Sequence, residues 1–529
     1  MGPFLSKRPG TAVPGDLAAP ALRENHRPPN DNVNLIPSRP LVKSGWVPIP
    51  WGLKKLWRAK YLQERGDSVA KATEDHGGSL IYVCLLATVA ALGGLLFGYD
   101  TAVIAGAIGF LKQRFIIGHY PDRWVDVLEG WAVANVLVGC MIGAALAGPL
   151  SDRFGRKKAL LLSAVLFAVS GVGAAVPQNL WRFVVARMLA GFAVGMASML
   201  SPLYIAEVSP ARIRGRLVSL NQITIISGML VVSIVNWLIA SPEDESWNVD
   251  MGWRWMFASA TLPALLFFGL LFLVPESPRW LTKQGREDEA LAILARVGGR
   301  QRAQLEMKEI HNAIAQEGGS LGELFRPGIR RALAVAVVLA VLQQVTGINA
   351  VLYYAPKIFE SAEVTPTQAL LQTAALQVVN VLLTLVAILV VDRGGRKPLL
   401  LITSAAMGIS LLLLGGAFWL KLGAVWVFVL TLAYVGSFAV AMGPVVWVVL
   451  SEIFPTRIRG RAMAVATVSL WVACFAVSQS VPPMFKHLGQ AATFWTYALM
   501  CAVSFVFVMR FVPETKGKTL EEIERSWTR

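Results

Sequence analysis

The sequence predicts an all-α polytopic membrane protein in which twelve transmembrane helices form two six-helix, pseudo-symmetric halves. Three observations carry this. The composition is too oily for water: 55% of the residues are hydrophobic and 16% charged, against about 25% charged in a soluble domain, and the mean hydropathy is +0.56. The apolar residues gather into twelve runs, each near or above the roughly 20 residues that a helix needs to cross a bilayer. Charged loop motifs also recur in the same order in the two halves of the chain.

Residues 1–78 are rich in Pro, Arg and Asn and contain no long apolar run, so they lack the apolar core of a signal peptide. They read as a cytoplasmic tail, mostly disordered. Within it "WGLKKLWRAKYLQER" (51–65) mixes Trp, Leu and Tyr with Lys and Arg, which fits an interfacial helix and a plain linker equally well. The first half, 79–274, holds runs near 80–108, 130–150, 158–176, 181–204, 217–240 and 254–274. Segment 275–329 is polar and too short and charged for a catalytic domain. It reads as a cytoplasmic linker of short helices. The second half, 330–512, holds runs near 332–358, 368–391, 398–418, 423–450, 461–484 and 492–512, and 513–529 is a second cytoplasmic tail.

The even number of spans puts both termini on one side. "SDRFGRKK" (151–158), "VDRGGRKP" (391–398) and the linker lie on that side, whereas "SPEDESWNVD" (241–250) on the other carries no Lys or Arg. Basic loops mark the cytoplasmic face, so the expected location is the plasma (inner) membrane. The net charge of +16 therefore reflects topology and implies no nucleic-acid partner. Cys84, Cys140, Cys474 and Cys501 all fall in apolar runs without a CxxC pair, which argues against disulfides and metal and for small buried hydrophobes.

The halves repeat each other. "AEVSPARIRGR" (206–216) matches "SEIFPTRIRGR" (451–461), "DRFGRKK" (152–158) matches "DRGGRKP" (392–398), and "VPESPRWL" (274–281) matches "VPETKGKTL" (512–520). Leu-rich helices alone would not align charged loops in this way. Duplicated six-helix halves are a transporter architecture, with the substrate site near the midplane between them. In the first run, "GGLLFGYDTAVIAGA" (93–107) places Asp100 inside a stretch long enough to span. An unpaired charge there costs roughly 2.5–3.5 kcal/mol. Arg187 in "VVARMLAGFAVG" is embedded deeply enough to be its partner. The pair reads either as a fixed salt bridge or, favoured for intramembrane ionisable groups, as a proton site that movement of Arg187 would switch.

With "GRKK", "PESPRWL", "QQVTGIN", "GRKP", "SEIFPTRIRGR" and "PETKGKTLEE" in order, residues 80–525 resemble the sugar porter family of the major facilitator superfamily. The resemblance implies that fold, no enzymatic activity, no cofactor beyond the proton as coupling ion, and a monomer. It implies that an Asp in the first span marks proton-coupled members, facilitative animal carriers having Asn there. It also implies a cytoplasmic charge gate whose members pair across helices when the carrier faces outward and separate when it faces inward. Here these are Arg156, Glu207, Arg214, Glu276 and Arg279 in the first half and Asp392, Arg396, Glu452 and Arg459 in the second. Basic loops orient insertion as well, and the two roles are compatible.

A sugar offers hydroxyls that donate and accept, and amide side chains match both roles. "LQQVTGINAVLYY" in the seventh run carries several amides in an oily setting. By resemblance the sugar-contacting residues are Gln222, Gln343, Gln344, Asn349, Tyr353, Asn380, Gly443, Trp447 and Trp471, with Phe97 nearby. A single amide of this kind is more often glue between helices, and it is their number that favours a site. Gly347 is expected to loosen the seventh helix. Leu470 stands where the family pattern expects an amide before Trp471. That removes a hydrogen bond worth roughly 0.5–1.5 kcal/mol and bears on which sugar is bound. The expected function is a proton-coupled monosaccharide symporter, for D-xylose or a related pentose or hexose. A uniporter is disfavoured by Asp100, and a non-transporting sugar sensor by the modest tail. An ATP-driven pump fails because "KGKT" (516–519) has Val512 where a phosphate loop needs Gly and no preceding strand.

Overall fold

The structure, a computed structural model, describes residues 79–240, 244–316, 321–326, 328–454 and 458–516. The tail and its 51–65 stretch lie outside them, as do residues 517–529. Twelve helices among the described residues are long and apolar enough to cross a membrane, and the chain is a multi-pass membrane protein. In order they are Leu80–Phe115, Asp122–Phe154, Arg156–Ala175, Leu180–Val208, Arg214–Ile239 and Glu245–Leu271, then Ile329–Tyr353, Pro366–Val391, Arg396–Trp419, Ala424–Glu452, Arg459–His487 and Gly489–Phe511.

The apolar runs set these helices, and polar residues at their edges start them. The Ser79 side chain accepts from Tyr82 N (3.2 Å) at the first span and Asn179 from Arg182 N (2.9 Å) at the fourth, the usual N-cap chemistry. At 36 residues the first helix is roughly 54 Å long, well beyond a hydrocarbon core of about 30 Å. Its far end thus carries Lys112 and Arg114 clear of the apolar layer. Between the halves lie helices Pro278–Lys283, Glu287–Gly298 and Arg300–Gln316 and a 3-10 turn, Leu321–Phe325. Trp280, Leu281 and Ala290 form a small core there, and the Trp280 indole donates to Asp152 O (2.9 Å).

Two spans of the second half are interrupted. The seventh breaks at Gly347, whose φ of 95° is left-handed, before a short helix Ile348–Tyr353 and another, Ala355–Glu360. Gly347 does more than loosen the helix: a Cβ there would lie 2.6 Å from the Tyr497 ring. Tyr434 donates its hydroxyl hydrogen to Thr346 O (2.9 Å), satisfying a carbonyl at the break. The tenth span widens to a π segment, Phe438–Met442, just before Pro444. Such bulges collect at functional sites.

The halves meet along a seam where the second span packs on the eleventh and the fifth on the eighth. Rings fill it: Phe97 against Trp471 (centroids 5.7 Å apart, tilted 58°) and Trp131 against Phe475 (6.0 Å, 85°). One cysteine departs from expectation. Cys140, Cys474 and Cys501 are buried, but Cys84 is exposed, because the outer face of a span meets lipid and tolerates a small apolar side chain as well as the core does.

Candidate functional site

The buried charge in the first span has the partner that the sequence suggested. Arg187 Nη1 donates to Asp100 Oδ1 at 2.6 Å and Nη2 to the Asp100 backbone carbonyl at 3.3 Å. Both residues are buried, Arg187 completely. The guanidinium lies over the Phe257 ring, 5.4 Å from its centroid. The contact is one-legged rather than a two-bond fork, since Asp100 Oδ2 and Arg187 Nε are buried without a partner.

One helical turn from Asp100, Phe97 reaches across the seam to Trp471, whose indole N–H is buried without an acceptor. Beside them runs a chain of amides. Gln343 Nε2 donates to the carbonyls of Met442 (2.8 Å) and Gly443 (3.2 Å) at the π segment. Gln344 Nε2 donates to Gln343 Oε1 (3.3 Å), and Asn349 Nδ2 to Gln344 Oε1 (2.6 Å) and Cys474 Sγ (3.1 Å). Tyr353 is buried beside Cys474. Gln222 and Trp447 are half-buried. Asn380 is not joined to the chain, as its Nδ2 donates to Gln377 Oε1 at 3.0 Å. Leu470 is buried next to Trp471.

The charged loop residues assemble as two copies of one device. In the first half Arg156 Nε donates to Glu207 Oε2 (2.9 Å), while Glu276 Oε1 accepts from the backbone N–H groups of Arg156 (2.9 Å) and Lys157 (3.1 Å). In the second, Arg396 Nη2 donates to Glu452 Oε1 (3.1 Å), and Glu514 accepts from the backbone of Arg396 (3.0 Å) and Lys397 (3.1 Å). Glu276 and Glu514 sit on the N-termini of the helices that start at Arg156 and Arg396, where backbone donors and the dipole favour an anion. Ser277 and Thr515 donate to Glu207 and Glu452 at 2.5 Å each. The preceding glycines are left-handed, Gly155 at φ 97° and Gly395 at φ 80°. These pairs join helices of the same half. Arg214 and Arg459 donate instead to carbonyls of their own loops, Ser209 O (3.3 Å) and Phe454 O (3.3 Å). Arg279 lies half-buried in the helix Pro278–Lys283, and the side chain of Asp392 is outside the described residues.

Glu514 was missed by sequence reasoning, although the repeat places it opposite Glu276. A second group had no repeat to reveal it. At the face opposite these loops, Glu129 Oε1 accepts from Lys357 (2.5 Å) and Oε2 forms an ion pair with Lys112 (2.7 Å), as Asp126 does with Lys486 (2.6 Å). Gln479 Nε2 adds a bond to Val127 O (2.8 Å). Lys357, Lys486 and Gln479 belong to the second half and the acids to the first, so these contacts clamp the seam shut at that face. Glu129 borders an apolar run and reads there as an ordinary helix end.

A family model described as "Sugar (and other) transporter" matches residues 86–527. The chain is 42% identical over 451 residues to the arabinose-proton symporter of Bacillus subtilis, covering 85% of this chain and 96% of the relative. It is 43% identical over 471 residues to the D-xylose-proton symporter of Escherichia coli, covering 84% and 96%. Among solved structures, an inward-open conformation of the xylose transporter of E. coli superposes with a TM-score of 0.76 at 43% identity, covering 84% of this chain and all of that one. By its matched length, its twelve spans and these similarities, the chain belongs to the sugar (and other) transporter family.

Proposed function

We propose that the protein is a proton-coupled monosaccharide symporter, taking D-xylose or a related pentose or hexose, that works by alternating access. The observation that carries this reading is the half-satisfied Asp100–Arg187 pair one turn from the Phe97–Trp471 contact. A buried carboxylate with one oxygen bonded and one orphaned is costly as a structural tie. It suits a group that takes up a proton when the guanidinium moves off. The similarity to proton symporters of arabinose and xylose supports the same assignment.

Gln343, Gln344, Asn349, Tyr353, Gly443, Trp447 and Trp471, with Phe97, Gln222 and Asn380, form the sugar site in this reading. Amides meet hydroxyls and rings cover the apolar face of the sugar. The charge clusters around Arg156 and Arg396 form the cytoplasmic gate. Both termini and the linker 275–329 face the cytoplasm, the membrane is the inner membrane, and the carrier acts as a monomer of halves 79–274 and 330–512. The closed opposite face and the match to an inward-open relative favour a conformation open to the cytoplasm.

Uptake of radiolabelled pentoses and hexoses into proteoliposomes, with and without an inward proton gradient, tests this reading. Accumulation above equilibrium is expected with the gradient and only equilibration in Asp100→Asn. Undiminished accumulation by that variant would sink the coupling, and binding without flux would make the protein a sensor.

A further inference from the structure

We propose that Cys474 is a positioning residue of the sugar site. With two backbone carbonyls of the tenth span, its sulfur fixes the direction of the amide chain, so that Asn349 meets the sugar as an acceptor. The proposal rests on the sugar reading above and adds a polarity to it. A side-chain amide can be turned end for end with little change of shape, exchanging donor for acceptor. A site built from free amides would thus accept a hydroxyl in either sense. This one is held at both ends.

At one end stand the carbonyls of Met442 and Gly443, which only accept. Gln343 therefore turns its nitrogen to them, and both of its hydrogens are used, at 2.8 and 3.2 Å. Its oxygen then faces Gln344 Nε2 (3.3 Å), and the oxygen of Gln344 faces Asn349 Nδ2 (2.6 Å). At the other end the second hydrogen of Asn349 goes to Cys474 Sγ (3.1 Å), on a fully buried residue. Within this run of three amides, the groups with no hydrogen bond to the described residues are Asn349 Oδ1 and one hydrogen of Gln344. Asn349 is only half-buried, which leaves its amide accessible to a ligand. Cys474 lies three residues after Trp471, on the same face of the eleventh span. One helix face thus carries both the ring that meets Phe97 and the sulfur that holds Asn349.

The consequence is a rule about the substrate. One sugar hydroxyl must donate to Asn349, and fluorine, which accepts but cannot donate, cannot replace it. A neighbouring hydroxyl that accepts from Gln344 tolerates fluorine better. Without the sulfur only Gln344 Oε1 orients Asn349, and the rule weakens.

The test is competition by singly fluorinated and singly deoxygenated monosaccharides against radiolabelled sugar uptake in proteoliposomes. It compares the full-length protein with Cys474→Ala and Cys474→Ser. In the wild type, one ring position is expected where the fluoro and deoxy analogues compete equally poorly. Cys474→Ala is expected to raise KM roughly two- to tenfold, the range of one lost hydrogen bond, with Vmax little changed, and to narrow the penalty for fluorine at that position. Cys474→Ser, which keeps an acceptor, should recover most of the lost affinity. Unchanged KM and analogue profile in Cys474→Ala would overturn the proposal, as would a serine variant no better than the alanine one. A wild type that takes up no monosaccharide would overturn the sugar reading itself, and this proposal with it.

Discussion

Lys357 Nζ lies 2.5 Å from Glu129 Oε1 and ties the second half of the molecule to the first at the face away from the motif loops. Glu129 is almost wholly buried, with 2% of its side chain exposed. Its second oxygen is ion-paired at 2.7 Å with Lys112, which belongs to the same half as Glu129. When this face opens, Lys357 and Lys486 leave with their own half, but Lys112 stays. The buried carboxylate therefore keeps a counter-ion throughout, and the step avoids the several kcal/mol that a stranded buried charge costs.

Weakening that clamp should favour the opposite-face-open state. Lys357 and Lys486 are 33% and 48% exposed, so each pair is worth about 1 kcal/mol rather than the value of a buried one. The double variant Lys357→Gln/Lys486→Gln should speed modification of a reporter Gln479→Cys by roughly tenfold, in a Cys84→Ser background. High salt should produce part of the same effect in the wild type by screening.

Arg187→Gln should destabilise the protein strongly, because it leaves Asp100 buried without its cation, a loss of about 3–5 kcal/mol. Asp100→Asn in the same chain should restore much of the melting temperature without restoring proton-driven accumulation. Thermal melts of the two single variants and the double one form the cycle that measures the coupling.

Glu514 adds a pH-dependent contribution. Burial raises its pKa, but the backbone N–H groups of Lys516, Arg396, Lys397 and Thr515 outweigh that and hold it below its ordinary value of 4.5. A depressed carboxylate stabilises the fold above its unfolded pKa, and the contribution is lost as pH falls through the folded value. Glu514→Gln should therefore lower the melting temperature at pH 6–7. The gap to wild type should narrow as pH falls below the ordinary value of 4.5 and close once the native carboxylate is itself protonated.

Gly347→Ala should impair folding and transport together. A left-handed φ of 95° disfavours any side chain, and the Tyr497 ring occupies the space a Cβ would need. Strain alone costs about 1 kcal/mol or more. Trimming Tyr497 to Leu should relieve the clash and not the strain, so partial recovery of melting temperature is expected in the double variant.

The spans and the duplication were legible because the bilayer demands long apolar runs and pushes charge into loops, where repeats are easy to see. The Asp100–Arg187 partnership was legible because two charges in oil must find each other. What escaped lay in geometry without a local signature. Nothing in "DVLEGWAV" distinguishes Glu129 as a clamp from Glu129 as a helix end, since its partner across the seam, Lys357, is 228 residues away. The widened turn at Phe438–Met442 has only the following Pro444 as a hint. The four loop arginines looked equivalent, yet Arg156 and Arg396 pair with acids while Arg214 and Arg459 bind their own loops. Charge and spacing are alike for both kinds, and only the fold of the loop separates them.

The rings between the halves have a mechanical meaning. Salt bridges hold only in narrow geometries, and around Arg156 and Arg396 they lie inside each half, stiffening it as a block. Ring contacts such as Phe97 on Trp471 and Trp131 on Phe475, tilted at 58° and 85°, keep most of their attraction when one edge slides over the other by an ångström or so. The molecule is two stiff blocks on a lubricated joint, with an ionic catch at one rim.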